Sequence, residues 1–326
     1  MKAILFAVVA SLGACAVDEQ PAGFGDELGT PENPVPGDES YSVQTRIEIS
    51  LEMPAVTAAV GTLRAFSQAP ARSLLAPTGA MPAWVATLST TLRNNLEGYI
   101  NTELDKVKLH DKTLRAMTGE MASVAENVLS TFTLESALWI TPTAVQHSLS
   151  GINFTPASID IVVPIGGLEA DSIMQKPTAQ VGAGGALALG DHRFSLAFGS
   201  HAWQAINLAS NTLYGGDLAI IAATDCGAIS RTVAARCLSS SPTTCVGHAS
   251  EIENACKAGL SSMVETLRAQ IVPIQIDMVR FTSGTAKLVD EGFDGVADSI
   301  IDGRWDAEID VGQGAHKATA TFIAFD

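Results

Sequence analysis

Residues 41–52 read YSVQTRIEISLE, and the chain changes character at their first residue. Tyr41, Val43, Thr45, Ile47, Ile49 and Leu51 alternate with Ser42, Gln44, Arg46, Glu48, Ser50 and Glu52. Successive side chains of a strand point to opposite faces, so this period of two describes a half-buried β-strand. Further strands are expected at Phe132–Ile140, Val145–Phe154, Ile159–Ile165, Ala179–Leu189, His192–Phe198, Ile274–Val289, Arg304–Val311 and Lys317–Phe325. Between them the apolar steps lengthen to three and four, first in Val85, Leu88, Leu92, Leu96, Tyr99, Leu104 and Val107, then in Leu114, Met117, Met121, Val124, Val128 and Phe132. These spacings predict two amphipathic helices joined near Lys106–Lys112, whose bases face the negative end of the first. A third helical block starts near Ser200 with Trp203, Ile206 and Leu213. The expected fold is α+β, an antiparallel β-sheet with amphipathic helices in a single domain over residues 41–326.

Composition narrows the function classes. The 326 residues are 47% hydrophobic and 17% charged, with 19 Lys+Arg against 35 Asp+Glu and a net charge of −16. A chain of this length and apolar content buries a sizeable core. Its carboxylate surplus repels phosphate backbones, which argues against nucleic acid as a partner.

The N-terminus has an export pattern. Met1 and Lys2 precede a small or apolar run from Ala3 to Leu12, too short for a bilayer core that needs about 20 residues. Next comes Leu12-Gly13-Ala14-Cys15, which resembles the lipobox of bacterial lipoproteins. That resemblance implies a signal peptide of residues 1–14 and diacylation of Cys15 as the new N-terminus, hence a membrane link through lipid. It also implies outer-membrane residence, facing the periplasm or the cell surface, because Ala16 stands where the family's inner-membrane proteins carry Asp. Cleavage leaves 312 residues with a charge of −17. The longest later apolar run, Leu218–Ala223, is six residues. Residues 16–40 hold four Pro, four Gly, seven acids and no base, so burial there does not offset chain entropy. We read residues 15–40 as a lipidated N-terminus and acidic tether that reaches about 80 Å when stretched.

Five cysteines less Cys15 leave four, an even number in an exported chain, which argues for two disulfides. Cys226 and Cys237, like Cys245 and Cys256, are eleven residues apart on helical patterning. Eleven residues of helix rise about 16 Å, beyond the roughly 7 Å that a disulfide spans between Cα atoms. Two helices folded antiparallel around Leu238–Thr244 instead set Cys237 beside Cys245 and Cys226 beside Cys256, a stapled α-hairpin. A metal held by the four thiols is the alternative, without the C-x-x-C spacing of zinc sites.

Asp290, Asp294 and Asp298 occupy positions one, five and nine of a segment with Gly295 at six. The segment resembles a degenerate calcium loop of EF-hand or dockerin type, which implies calcium ligation by these carboxylates. Gly292 at position three and Ile301 at position twelve depart from that pattern, and a solvated acidic loop is the plainer reading. The glycine-rich run Val181–Ala186 reads as small residues within a strand. Phosphate, zinc and serine-hydrolase signatures are missing. His192 and His201 share a stretch with Asp191, Arg193, Ser195, Ser200 and Trp203, from which a pocket can be built, while Trp84, Trp139, Trp203 and Trp305 read as core anchors. The leading functional expectation is a non-enzymatic envelope lipoprotein that supports structure or contacts a protein partner. A carrier of lipid or other apolar ligands and a hydrolase with an unrecognised site are the alternatives.

Overall fold

The computed structural model describes residues 34–37, 40–49, 53–77, 79–141, 145–166, 173–240, 248–310 and 315–325. A short β1 (Val35–Pro36) and a long β2 (Ser40–Glu48) precede α1 (Pro54–Gln68), α2 (Pro70–Leu75), α3 (Ala83–Ala86) and α4 (Thr90–Leu104). A small hairpin, β3 (Lys108–Leu109) and β4 (Lys112–Thr113), leads into α5 (Leu114–Ser130). Next come β5 (Thr131–Ile140), β6 (Val145–Phe154), β7 (Ile161–Pro164), β8 (Met174–Gln175), β9 (Ala179–Val181), β10 (Ala186–Leu189) and β11 (His192–Leu196). Four helices follow, α6 (Phe198–Tyr214), α7 (Ala219–Ala222), α8 (Cys226–Ser240) and α9 (Ala249–Ile271), and then β12 (Ile276–Val289), β13 (Val296–Ala297), β14 (Ser299–Asp310) and β15 (Ala315–Phe325). The chain is α+β, as its periodicities predict.

The main sheet runs β7-β6-β5-β2-β15-β14-β12-β10-β9, with β8 also on β6 and β11 also on β12. Its ladders are antiparallel. The strand that opens the domain is therefore central, with Thr45 paired to Leu134 on one side and Phe322 on the other. Its burial alternates residue by residue, Tyr41, Val43, Thr45 and Ile47 being covered and their neighbours wet. The two margins of the sheet also meet. β8 touches β11, and His147 of β6 bonds to His192 of β11. The sheet thus curls into a barrel-like wall with a seam at this junction.

Aromatic side chains fill the space under the seam, where Trp305 stacks on Phe322 at 4.7 Å and lies 4.9 Å from Phe281. Elsewhere on the concave face helices supply the filling, with Phe198 of α6 4.8 Å from Phe132 of β5. The two regions belong to one continuous apolar core. A close approach explains Gly284, which stands at a register shift in β12. A Cβ there would lie 2.3 Å from the Trp305 ring, so only glycine lets the indole cross the strand.

Several elements differ from the sequence reading. Helix α1 was not expected, although Val56, Ala59, Val60, Leu63 and Phe66 follow helical steps and are buried. The Val181–Ala186 run is a turn between β9 and β10 rather than continuous strand, because Gly184 and Gly185 take φ of 70° and 74°. The α4–α5 connection contains a hairpin whose tip, His110 and Asp111, has φ of 48° and 59°, the left-handed pair that tight hairpins use. The described structure includes residues ahead of Tyr41, within the segment read as tether. Val35–Pro36 pairs in parallel with Val296–Ala297, the Val35 N–H donates to Gly295 O at 3.0 Å, and the Tyr41 hydroxyl donates to Ala297 O at 2.9 Å. Of the four tryptophans, Trp305 is a core anchor at 3% exposure, and Trp84 and Trp203 are half-buried against the core. Trp139 is 40% exposed on the outer face, because its place in the alternation of β5 points it away from the core.

Helices α8 and α9 pack together, and Cys226 is disulfide-bonded to Cys256 with Cα atoms 5.7 Å apart. Cys237 is also in a disulfide, and Cys245 lies outside the described residues. The Cys226–Cys256 bridge closes a separation of 30 residues, for which loop entropy gives about 3–4 kcal/mol. Replacing both cysteines by serine is expected to lower the free energy of urea unfolding by that amount. A loss under about 1 kcal/mol would show that the hairpin does not depend on this staple.

Candidate functional site

The seam brings together residues that are far apart in sequence. His147 faces inward because it occupies a covered position in the alternation of β6, between Val145 and Leu149. His192 starts β11, inward for the same reason, and Ser136 faces inward from β5 at a register shift. All three are buried, at 1%, 7% and 4% exposure. The rings form a box in which His147 stacks on Trp305 at 6.0 Å and meets the edge of Phe194 at 5.0 Å.

Polar groups in such surroundings need partners, and here they form a chain. His192 Nδ1 lies 3.0 Å from Gly190 O, His192 Nε2 lies 2.8 Å from His147 Nδ1, and His147 Nε2 lies 2.9 Å from Ser136 Oγ. A carbonyl only accepts, so Nδ1 of His192 carries a hydrogen and, in the neutral ring, Nε2 accepts from His147 Nδ1–H. His147 Nε2 then accepts from the Ser136 hydroxyl. The second acceptor near that hydroxyl, Val43 O at 3.3 Å, serves the other arrangement. If His192 takes a second proton, each hydrogen shifts one step and the Ser136 hydroxyl donates to Val43 O. Burial holds His147 down to about 3, and the neighbouring His192 adds to the effect. Burial also lowers His192, against the opposing pull of Gly190 O and Asp191. Both rings are neutral at pH 7.

A cavity of ≈ 390 Å³ opens to solvent over the seam. Gln175 and Lys176, in and just after β8, line one side, Asp191, His192 and Arg193 the other, with Arg280 from β12. The Arg280 guanidinium is 3.1 Å from Asp191 and 3.9 Å from Glu308. Of the residues singled out in sequence, the structure gathers Asp191, His192 and Arg193 here. His201 is buried on α6, and neither hydrogen bond described for the His192 ring goes to it. The partner that sequence reasoning missed is His147, whose only local signal was a histidine on the apolar side of an alternating strand.

The acidic loop is organised by its own backbone. Asp290 accepts from the N–H groups of Asp294 and Gly295, Asp298 accepts from Glu291 and Gly292 at 2.6 and 2.9 Å, and Asp294 accepts from Val296 at 2.8 Å. Three acids spaced by four thus brace the turn between β12 and β13. Among the described residues no group of three or more His, Cys, Asp or Glu side chains converges as a metal site. Cys15 lies outside the described residues.

Two outcomes are expected. The folded His147 stays neutral well below 6.5, so its contribution to stability is intact above pH 6.5 and is lost as pH falls toward about 3, as the unfolded ring takes up its proton. The slope is up to about 1.4 kcal/mol per pH unit for such a ring. The urea midpoint should therefore fall between pH 7 and pH 5 more steeply in the parent than in His147→Leu, and equal slopes would contradict the buried neutral ring. Asp298→Ala should cost about 1–2 kcal/mol through its two backbone bonds, equally in calcium and in chelator. A loss seen only in calcium would return the loop to ion binding.

Comparison with known proteins gives no relative: no family model, curated protein or solved structure matches the chain.

Proposed function

We propose that the chain is an outer-membrane lipoprotein, anchored by acylated Cys15, whose folded body has a non-enzymatic structural or interaction role in the envelope. One observation carries this reading, the Leu12-Gly13-Ala14-Cys15 sequence behind a single base and a short apolar run. Three features of the fold support it. No helix among the described residues is long and apolar enough to cross a membrane. The described chain starts beside β1, which lies along β13. The serine of the Ser136–His147–His192 chain is buried on the inner face of the sheet, at 4% exposure, with its hydroxyl bonded to a histidine. The apolar side of the sheet and the helices share one core, which ranks a carrier of apolar ligands second.

The test is metabolic labelling with a fatty-acid analogue in the full-length protein. The parent is expected to carry the label and to fractionate with membranes, and Cys15→Ala to lose both. Label retained in Cys15→Ala, or an unlabelled parent, would overturn the anchor.

A further inference from the structure

The seam cavity carries positive charge that ion pairs within the fold neutralise only in part. Arg193 of β11 and Arg280 of β12 are direct cross-strand partners, and like charges placed opposite each other destabilise a sheet. Arg280 is ion-paired, with Asp191 and Glu308. Among the described residues neither Arg193 nor Lys176 has an ion-pair partner, in a chain with 35 acids to 19 bases. Charge on a margin strand discourages unwanted edge pairing, but a lone lysine does that without the Arg–Arg repulsion. The long-range repulsion from the acidic body does not decide the matter, since at physiological salt it is screened beyond about 8 Å.

We propose that the seam cavity binds the phosphate of a phosphomonoester, with Lys176 and Arg193 as its charge partners and Arg280 completing the rim. The lining holds three bases and one acid, Asp191, which is paired with Arg280, so Lys176 and Arg193 are left to match the charge of about −1.5 to −2 that a phosphomonoester carries near pH 7. Guanidinium forks suit phosphate oxygens, and the ≈ 390 Å³ volume leaves room for the group that bears the phosphate. The site joins strands from both margins of the sheet, so an occupant bridges β8 to β11 and β12 across the seam. His192 forms part of its floor with both nitrogens engaged, and recognition falls to the residues around it.

The experiment uses the full-length chain carrying Cys15→Ala, so that it does not rest on the anchor, and equilibrium dialysis against radiolabelled inorganic phosphate. Saturable uptake is expected, with Kd at least tenfold weaker in Arg193→Gln and in Lys176→Gln. It should be unchanged in Arg46→Gln, an exposed arginine of β2 outside this cavity. Arg193, Lys176 and Arg46 are each exposed, and melting curves confirm that the variants fold. Glycerol 3-phosphate should displace the phosphate. Vesicles of phosphatidylcholine with phosphatidic acid then separate the sources: binding that phosphate competes away assigns a lipid headgroup, and absence of binding assigns a soluble phosphomonoester. No saturable uptake by the parent, a Kd unmoved in both cavity variants, or phosphate that glycerol 3-phosphate fails to displace would overturn the proposal.

Discussion

The hydrogen bond between His147 and His192 joins the two margins of the sheet, and the rest of the architecture is arranged around it. A curled sheet whose edges touch without a continuous ladder must hold them in register by side chains. Here two buried imidazoles are separated by 45 residues in sequence and bonded at 2.8 Å. Burying such groups is favourable only when each nitrogen is satisfied, and the chain from Gly190 O through both rings to Ser136 meets that condition in a single neutral arrangement. A slip of one residue in β6 or β11 would turn its histidine to the outside and leave the other ring unpartnered in an aromatic box. The pair therefore specifies the closure as much as it stabilises it.

Closure also creates the surface feature that stands apart from the acidic body. β8 and β11 approach without pairing, and the gap between them becomes a cavity lined by bases whose acids are few. The same joint thus has a dry, neutral inner side and a wet, cationic outer side. Far from it, the chain uses cheaper devices to hold its ends, including a disulfide across α8 and α9, acids that brace the β12–β13 turn, and β1 laid along β13. These devices are local or covalent.

The sequence by itself determined the elements whose faces differ in solvent exposure. Alternation from Tyr41 onward marked β2, and the same signal located β5, β6, β12 and β15 within a few residues, because a half-buried strand writes its two faces into a period of two. Equal cysteine spacings on helical segments pointed to the Cys226–Cys256 bridge, because helix rise forbids the shorter pairing. The lipobox-like residues are likewise a linear signal. What only the tertiary structure decided depends on distance through space. Position along β5 set Trp139 on the outer face, glycine dihedrals turned Val181–Ala186 into a hairpin, and β1 found its partner beyond residue 290. His147 read as one more residue on an apolar face, and Arg193 carried no mark of the arginine opposite it, because curling of the sheet is a sum of twists and bulges over many strands that no local window of sequence contains.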